Sequence, residues 1–443
     1  MSIKNIDVFL SHPRNILSFH GVWLPPKSYL VAHKIWLFIV MFTQYAFVLC
    51  EFIYIADVWG DIDAVSESSY LLFTQASVCY KTTLFLINQN RLINLLDLME
   101  SNIFLSQNVT HDKLLKQQSK KIKRLCLFFL TSAITTCSLW AMIPLFDDAG
   151  SRSFPFKIWM PVDPQKSPHY ELGYIYQMIS IYISALLFIG VDSVALSMIM
   201  FSCAQLEIVM NKIEQIERVP YSLRKAEKDE LISKNNILLE ECISQHQCIV
   251  RFIEDVENTY HANIFFQLSG TVGIICIICL RITLVEPSSV QFLSMLNYLV
   301  TMLSQLFLYC WCGNELTIRS QDLRDCLYLC PWHEQDTRFK RSLFIAMERM
   351  KKPIIFRAGH YIPLSRPTFV AVLRSSYSYF AVINQVRHTY RKCKKTTAII
   401  NKLQTKLLEL ALPSNTKRCR TRKPSIPKIT YKRSQNIISK FYH

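Results

Sequence analysis

The sequence predicts an all-α, polytopic membrane protein with seven transmembrane helices and the N-terminus inside. Three observations predict it. The chain of 443 residues is 51% hydrophobic with only 9 glycines, too apolar for an ordinary soluble domain. The excess is gathered in seven blocks that reach the roughly 20 residues, about 30 Å of helix, needed to cross the hydrocarbon core. Lysine and arginine alternate between the connections in the pattern that sets membrane orientation.

The elements follow in order. Residues 1–33 are broken by charges and by Pro13, Pro25 and Pro26, so no cleavable leader is expected and the first span serves as its own anchor. The spans are read at about 34–56, 68–88, 125–146, 173–203, 262–284, 291–313 and 367–386, the fourth continuing beyond the bilayer. Connection 57–67 has no Lys or Arg but four acids, Asp57, Asp61, Asp63 and Glu67, while 89–124 and 204–261 hold seven basic residues each and 314–366 holds ten. Connections 147–172 and 285–290 hold three and none. The long basic loops therefore belong inside, the inverted arrangement, and seven spans put the C-terminus outside.

Between Leu231 and Tyr260, apolar residues recur at Leu231, Leu238, Cys242, Ile249, Ile253, Val256 and Tyr260 with Lys234, Glu240, Glu241, Arg251 and Glu254 on the other faces. That is an amphipathic helix of about 45 Å, too polar to span lipid. Residues 338–352, with Phe339, Leu343, Phe344, Met347 and Met350, form a second, and the two pack in a cytosolic helical region. His246 and His261 on the first are read as solvated. Within the spans, Asp192 requires a partner, Lys81 is expected to snorkel, Glu51 to sit at the outer interface, and Arg374 to pair with an acid or snorkel.

The net charge of +17 suggests nucleic acid until it is divided. Residues 387–443 carry 16 of the 50 Lys and Arg and a single acid, Glu409, leaving 34 basic and 32 acidic residues, +2, for the rest. Nucleic acid is not an expected partner, and the basic stretch suits acidic lipid surfaces better. Arg387, Arg391, Lys392, Lys394 and Lys395 directly after the last span conflict with an outside C-terminus. A body of 1–387 and a basic tail of 388–443, disordered or a gene-model extension, is the division that resolves this. Fifteen cysteines do not outline a disulfide framework, since none falls in a predicted outer loop. Cys276-x-x-Cys279 lies in a lipid-phase run without histidine, so packing is the better reading than metal binding. Neither metal nor other cofactor is expected, and no arrangement of Ser/His/Asp or phosphate-loop type points to an enzyme.

Three stretches resemble the insect odorant receptor family. They are Gln305-Leu306-Phe307-Leu308-Tyr309-Cys310-Trp311-Cys312-Gly313-Asn314-Glu315-Leu316 continuing to Trp332, Tyr379 with Gln385 six residues on, and Gly190-Val191-Asp192-Ser193 before a long polar extension. The resemblance covers residues 1 to about 387. It implies an odorant-specific subunit of a ligand-gated, non-selective cation channel, assembled as a heterotetramer with the odorant co-receptor. Its partners would be the lipid bilayer, a small volatile organic ligand and permeating cations, in the plasma membrane of olfactory sensory neurons. By the family's pore helix, Val382 and Val386 align with apolar gate positions and Gln385 with the polar residue beside them. The family's pocket depth places Tyr70, Phe73, Thr74, Ser77, Thr136, Trp140, Gln177, Met178, Ile181, Tyr182, Met295 and Tyr298 around the ligand, with Gln177 or Thr136 as hydrogen-bonding groups. A gustatory receptor channel of the same superfamily and a G-protein-coupled receptor of conventional topology stay open as alternatives. The latter usually carries Asp-Arg-Tyr, Asn-Pro-x-x-Tyr and an outer disulfide, none of which this chain shows.

Overall fold

The computed structural model describes residues 4–24, 30–106, 108–146, 153–161, 166–220, 222 and 224–411. It falls into two compact units, 1–384 and 385–443. The seven predicted spans fall in seven helices, overrunning α3 by one residue and α7 by two: α2 (Leu30–Asp57), α3 (Ile62–Ile87), α5 (Val109–Phe146), α6 (His169–Ile213), α7 (Lys225–Ile282), α8 (Val290–Leu329) and α10 (Arg366–Ala411). Three shorter helices complete the set, α1 (Asn5–Phe19), α4 (Gln89–Met99) and α9 (Thr337–Met350). Five of the seven, α2 and α5 to α8, are long and apolar enough to cross a membrane by length and composition alone. The other two carry more polar groups: α3 holds Glu67 and Lys81, and α10 holds Arg366, Arg374 and Arg387.

α6 is the central helix of the bundle. Every residue from Leu187 to Leu206 is buried, so this helix is covered all round by protein. Small residues let neighbours approach it. A Cβ on Gly190 would lie 2.9 Å from Leu17 of α1, and α1 lies in that groove with Phe9 edge-on to Phe201 at 5.5 Å.

Two corrections concern charge inside the bundle. Lys81 does not snorkel: it is fully buried, and its ammonium donates to both carboxylate oxygens of Asp192 at 2.8 and 3.0 Å. The polar chain continues as Gln305 donates to Asp192, Gln267 donates to Gln305 at 2.7 Å and Ser77 donates to Gln267 at 2.9 Å. Helices α3, α6, α7 and α8 are thereby tied at one level. The stem was expected to reach water because local sequence shows no counter-charge, and the partner is 111 residues away. Glu51 is not interfacial either; it is fully buried in α2, and neither carboxylate oxygen has a protein partner among the described residues. Arg374 is exposed on α10.

At the other end of the bundle α7 runs unbroken for 58 residues, about 87 Å, so the predicted amphipathic helix and the fifth span are one rod. Its stripe of Leu239, Cys242, Ile249, Phe252 and Val256 is buried, as are Phe339, Leu343, Ala346 and Met350 of α9. Asp336 caps α9 through Phe339 N at 3.1 Å and accepts from Asn236 at 3.0 Å, and Arg338 pairs with Glu240 at 2.6 Å. The capping bond satisfies a backbone donor the first helical turn would leave orphaned. His246 is buried here, not solvated; desolvation, with Arg349 nearby, lowers its pKa to about 4, so the imidazole is neutral at neutral pH. The stripe read from sequence passed it by because α7 is covered on more than one face.

A two-residue hairpin, Arg357–Ala358 against Ile362–Pro363, turns through Gly359 at φ +60° and leads into α10. Here Gly313 of α8 is indispensable: a Cβ would stand 2.3 Å from Leu364 Cβ and 2.6 Å from its carbonyl oxygen. Gly313→Ala is expected to destabilise the fold by about 1–3 kcal/mol, the range of overpacked cores, read as a lowered thermal midpoint of the purified chain. An unchanged midpoint would show that the α8–Leu364 contact is not close in solution.

A capped apolar cavity and an exposed terminal helix

Near the end of the bundle bearing the α5–α6 connection, α3, α5, α6 and α8 enclose a cavity of about 50 Å³. Leu71, Thr74, Gln75 and Val78 line it from α3, and Ala133, Thr136, Cys137 and Trp140 from α5. Ile181, Ser184, Ala185 and Phe188 come from α6, and Tyr298, Thr301 and Met302 from α8. Each set repeats at three- and four-residue steps, the geometry by which one helix shows a single face. The volume holds water-sized groups, well below the roughly 300–1,000 Å³ of drug-sized pockets. Aromatic rings dominate its upper wall: Trp140 lies 5.2 Å from Tyr298 and 6.4 Å from Tyr70 between ring centroids, and Tyr70 lies 5.7 Å from Tyr298.

Residues 153–161 lie across that wall. Phe156 packs edge-on against Trp140 at 5.2 Å and is buried. Gln177 holds it in place, accepting from Phe156 N at 3.1 Å and donating to Phe156 O at 3.2 Å. Trp159 N donates to Cys50 O, and Lys157 pairs with Glu67 at 3.0 Å. Between this strap and the aromatic wall is a second, more polar cavity of about 160 Å³ that includes Glu51, Tyr70, Trp140 and Met295.

Of the twelve sequence-predicted ligand residues, the structure brings Thr74, Thr136, Trp140, Ile181 and Tyr298 together around the inner cavity. Tyr70 and Met295 line the outer one. Phe73 is half exposed on the far face of α3, and Met178 is buried outside both linings. Ser77 is engaged with Gln267, Tyr182 with Ser138 at 2.9 Å, and Gln177 with the strap. The Thr136 hydroxyl accepts from Asn297 at 2.8 Å, and the Thr74 and Tyr298 hydroxyls bond each other. These hydroxyls hold helices together rather than stand free for a ligand.

Gln75 was missed from sequence. It is 2% exposed and lines the cavity, and among the described residues neither its amide oxygen nor its nitrogen has a protein partner, nor has the Trp140 indole N–H. Buried polar groups are normally bonded, so these groups stand out beside a cavity whose accessible lining is apolar. The signal lay in the helical phase: the stripe facing the cavity is 71, 74, 75, 78, one residue, about 100°, from the 70, 73, 74, 77 stripe chosen by depth.

Val382 belongs to the first unit and Gln385 and Val386 to the second. All three are exposed, as is Tyr379.

Comparison with known proteins gives this arrangement its family. A family model described as 7tm Odorant receptor matches residues 61–377. Odorant receptor Or1 of Anopheles gambiae is 23% identical over 394 residues, covering 84% of this chain and 93% of that protein. Odorant receptor 46a, isoform A, of Drosophila melanogaster is 22% identical over 387 residues, covering 86% and 99%. The solved structure of olfactory receptor OR5 from Machilis hrabei, in complex with eugenol, superposes with a TM-score of 0.72 at 15% identity over 85% of this chain and 97% of its own. The model's match over most of the chain, with the same seven-helix fold, makes this multi-pass membrane protein a receptor rather than an enzyme: the chain belongs to the insect odorant receptor family.

Proposed function

We propose that this chain is the odorant-specific subunit of a ligand-gated, non-selective cation channel that works with the odorant co-receptor in the plasma membrane of olfactory sensory neurons. The observation that carries the reading is the aromatic, strap-covered cavity with the unengaged Gln75 amide, in a chain of a family of odorant receptors. Its chemistry suits a small, mostly apolar volatile bearing one hydroxyl or carbonyl. Ligand entry forces the cavity to widen, and helices that line it must shift.

α10 is the element proposed to conduct. Its exposed Val382 and Val386 would meet their counterparts around a pore and gate it by dewetting, with Gln385 beside them. The buried seam of α7 and α9 forms the inner bundle on which subunits assemble with the co-receptor, and the N-terminus lies inside, as the basic loops indicate.

Whole-cell recording with an odorant panel tests this. The chain co-expressed with the co-receptor is expected to give odorant-evoked cation currents within milliseconds that persist when G-protein signalling is blocked, and none when expressed alone. Currents from the chain alone would favour a gustatory-type channel, and loss of response on G-protein block would favour a metabotropic receptor. Orientation is checked through the sequon Asn108-Val109-Thr110. It should remain unmodified in microsomes while a sequon engineered into 147–172 is glycosylated.

A further inference from the structure

A cavity larger than the aromatic one lies elsewhere among the described residues. An open cleft of about 600 Å³ lies between α1, the first half of α5 and the middle of α6. One wall is a stripe of α5 at helical spacing: Lys116, Lys120 and Lys123, then Leu127 and Leu130. Over about 21 Å of helix this stripe changes from cationic to apolar, and the change falls at residues 124–126, where the sequence places the edge of the hydrocarbon. Arg124 and His12 add to the polar end, and Ile189 of α6 to the apolar one.

The cleft has no carboxylate in its lining. Among the described residues, Lys116, Lys120, Lys123 and Arg124 have no ion-pair partner, although ion pairs satisfy Arg14, Arg319 and Arg338 elsewhere on this surface. Lys123 is half buried, and desolvation lowers its pKa. Excess positive charge on inner loops would by itself explain exposed lysines. It does not explain why four of them converge on a cavity that continues into an apolar groove.

We propose that this cleft seats an anionic phospholipid, its phosphate and acidic headgroup among Lys116, Lys120, Lys123 and Arg124 and the upper part of an acyl chain against Leu127, Leu130 and Ile189. The dimensions and the order of the lining, charge first and hydrocarbon after, match a lipid better than a free anion, which would use only the upper half. The site is separate from the odorant cavity, and the inference rests on helix packing alone. On the proposed orientation it faces the inner leaflet, where anionic lipids are concentrated. α1 forms one wall, so an occupied cleft would clamp α1 against α5 and α6.

The test uses the full chain with its co-receptor, purified in nanodiscs of phosphatidylcholine with and without phosphatidylserine. Lipid retained through detergent exchange is counted by native mass spectrometry. Nanodiscs present the same lipid on both faces, so the outcome does not depend on orientation. The basic C-terminal stretch is present in every variant, so its attraction cancels. The expected result is selective retention of phosphatidylserine, weakened roughly tenfold to thirtyfold in Lys120→Gln/Lys123→Gln, since each Lys near an acidic lipid surface contributes about a fivefold factor. Leu127→Trp/Leu130→Trp, which fills the groove and leaves the charges, should lose the lipid as well. Equal retention of both lipids, or undiminished phosphatidylserine in either folded variant, overturns the proposal. So does displacement of the lipid by inorganic phosphate at equal concentration, which would reduce the cleft to a simple anion site.

Discussion

Asp192→Asn is expected to be the most damaging single substitution in the bundle. It leaves the Lys81 ammonium fully buried without the carboxylate that now accepts from it at 2.8 and 3.0 Å. Breaking one side of a buried pair costs about 3–5 kcal/mol, a large fraction of a typical domain's margin. The ring of Phe188, 4.0 Å from Lys81 Nζ, offsets part of that through its negative face, about 2 kcal/mol when desolvated. Gln305, which donates to Asp192 as well, would lose an acceptor in the same step. Folded receptor at the cell surface should fall steeply, and the thermal midpoint of what remains should drop. The double variant Lys81→Met/Asp192→Leu should recover much of the loss, because apolar pairs of similar size replace buried ion pairs with little penalty. A single variant that melts like the parent would mean the pair does not bind these helices together.

Gln75→Leu is expected to separate stability from response. Among the described residues the Gln75 amide has no protein partner, and it is buried against apolar neighbours. Replacing it removes a buried unsatisfied polar group, worth about 1–3 kcal/mol, so the ligand-free chain should melt at a higher temperature. The same change should raise the half-maximal concentration of an odorant bearing a hydroxyl or carbonyl by about tenfold to a hundredfold, as the matching hydrogen bond is lost. A hydrocarbon odorant of the same shape should respond as before or better. Dose–response curves for such a pair, beside a thermal shift, decide the matter. Equal loss for both odorants would assign Gln75 to gating rather than recognition.

The helices were legible because lipid leaves them little freedom: backbone polar groups must be satisfied within each segment, so spans appear as long apolar runs. The predicted spans fall in helices of the fold to within two residues at their ends, α3 and α10 included, although those two are the more polar. Long-range pairing was not legible. Nothing near Lys81 names Asp192, and so the lysine was assigned to the interface. The strap at 153–161 has no periodicity to read, since it is held by the Gln177 side chain rather than by helix or sheet. On α3 the cavity-lining face is rotated by one residue from the stripe expected from family depth, whereas Thr136, Trp140, Ile181 and Tyr298 do line the cavity. The lining extends beyond the residues expected, by nearly two turns on α6, to Phe188, and by about one turn on α8, to Met302.

The ion-pair level has a consequence for how such receptors diversify. On α3, α6 and α8 the cavity-lining positions Gln75, Ser184 and Tyr298 each precede a member of that level, Lys81, Asp192 and Gln305, by six to eight residues. Substitutions at the cavity positions can therefore rewrite one storey of the bundle while the ion-paired storey beneath keeps the molecule foldable. A solved structure that keeps this fold at 15% identity is what that division would leave behind.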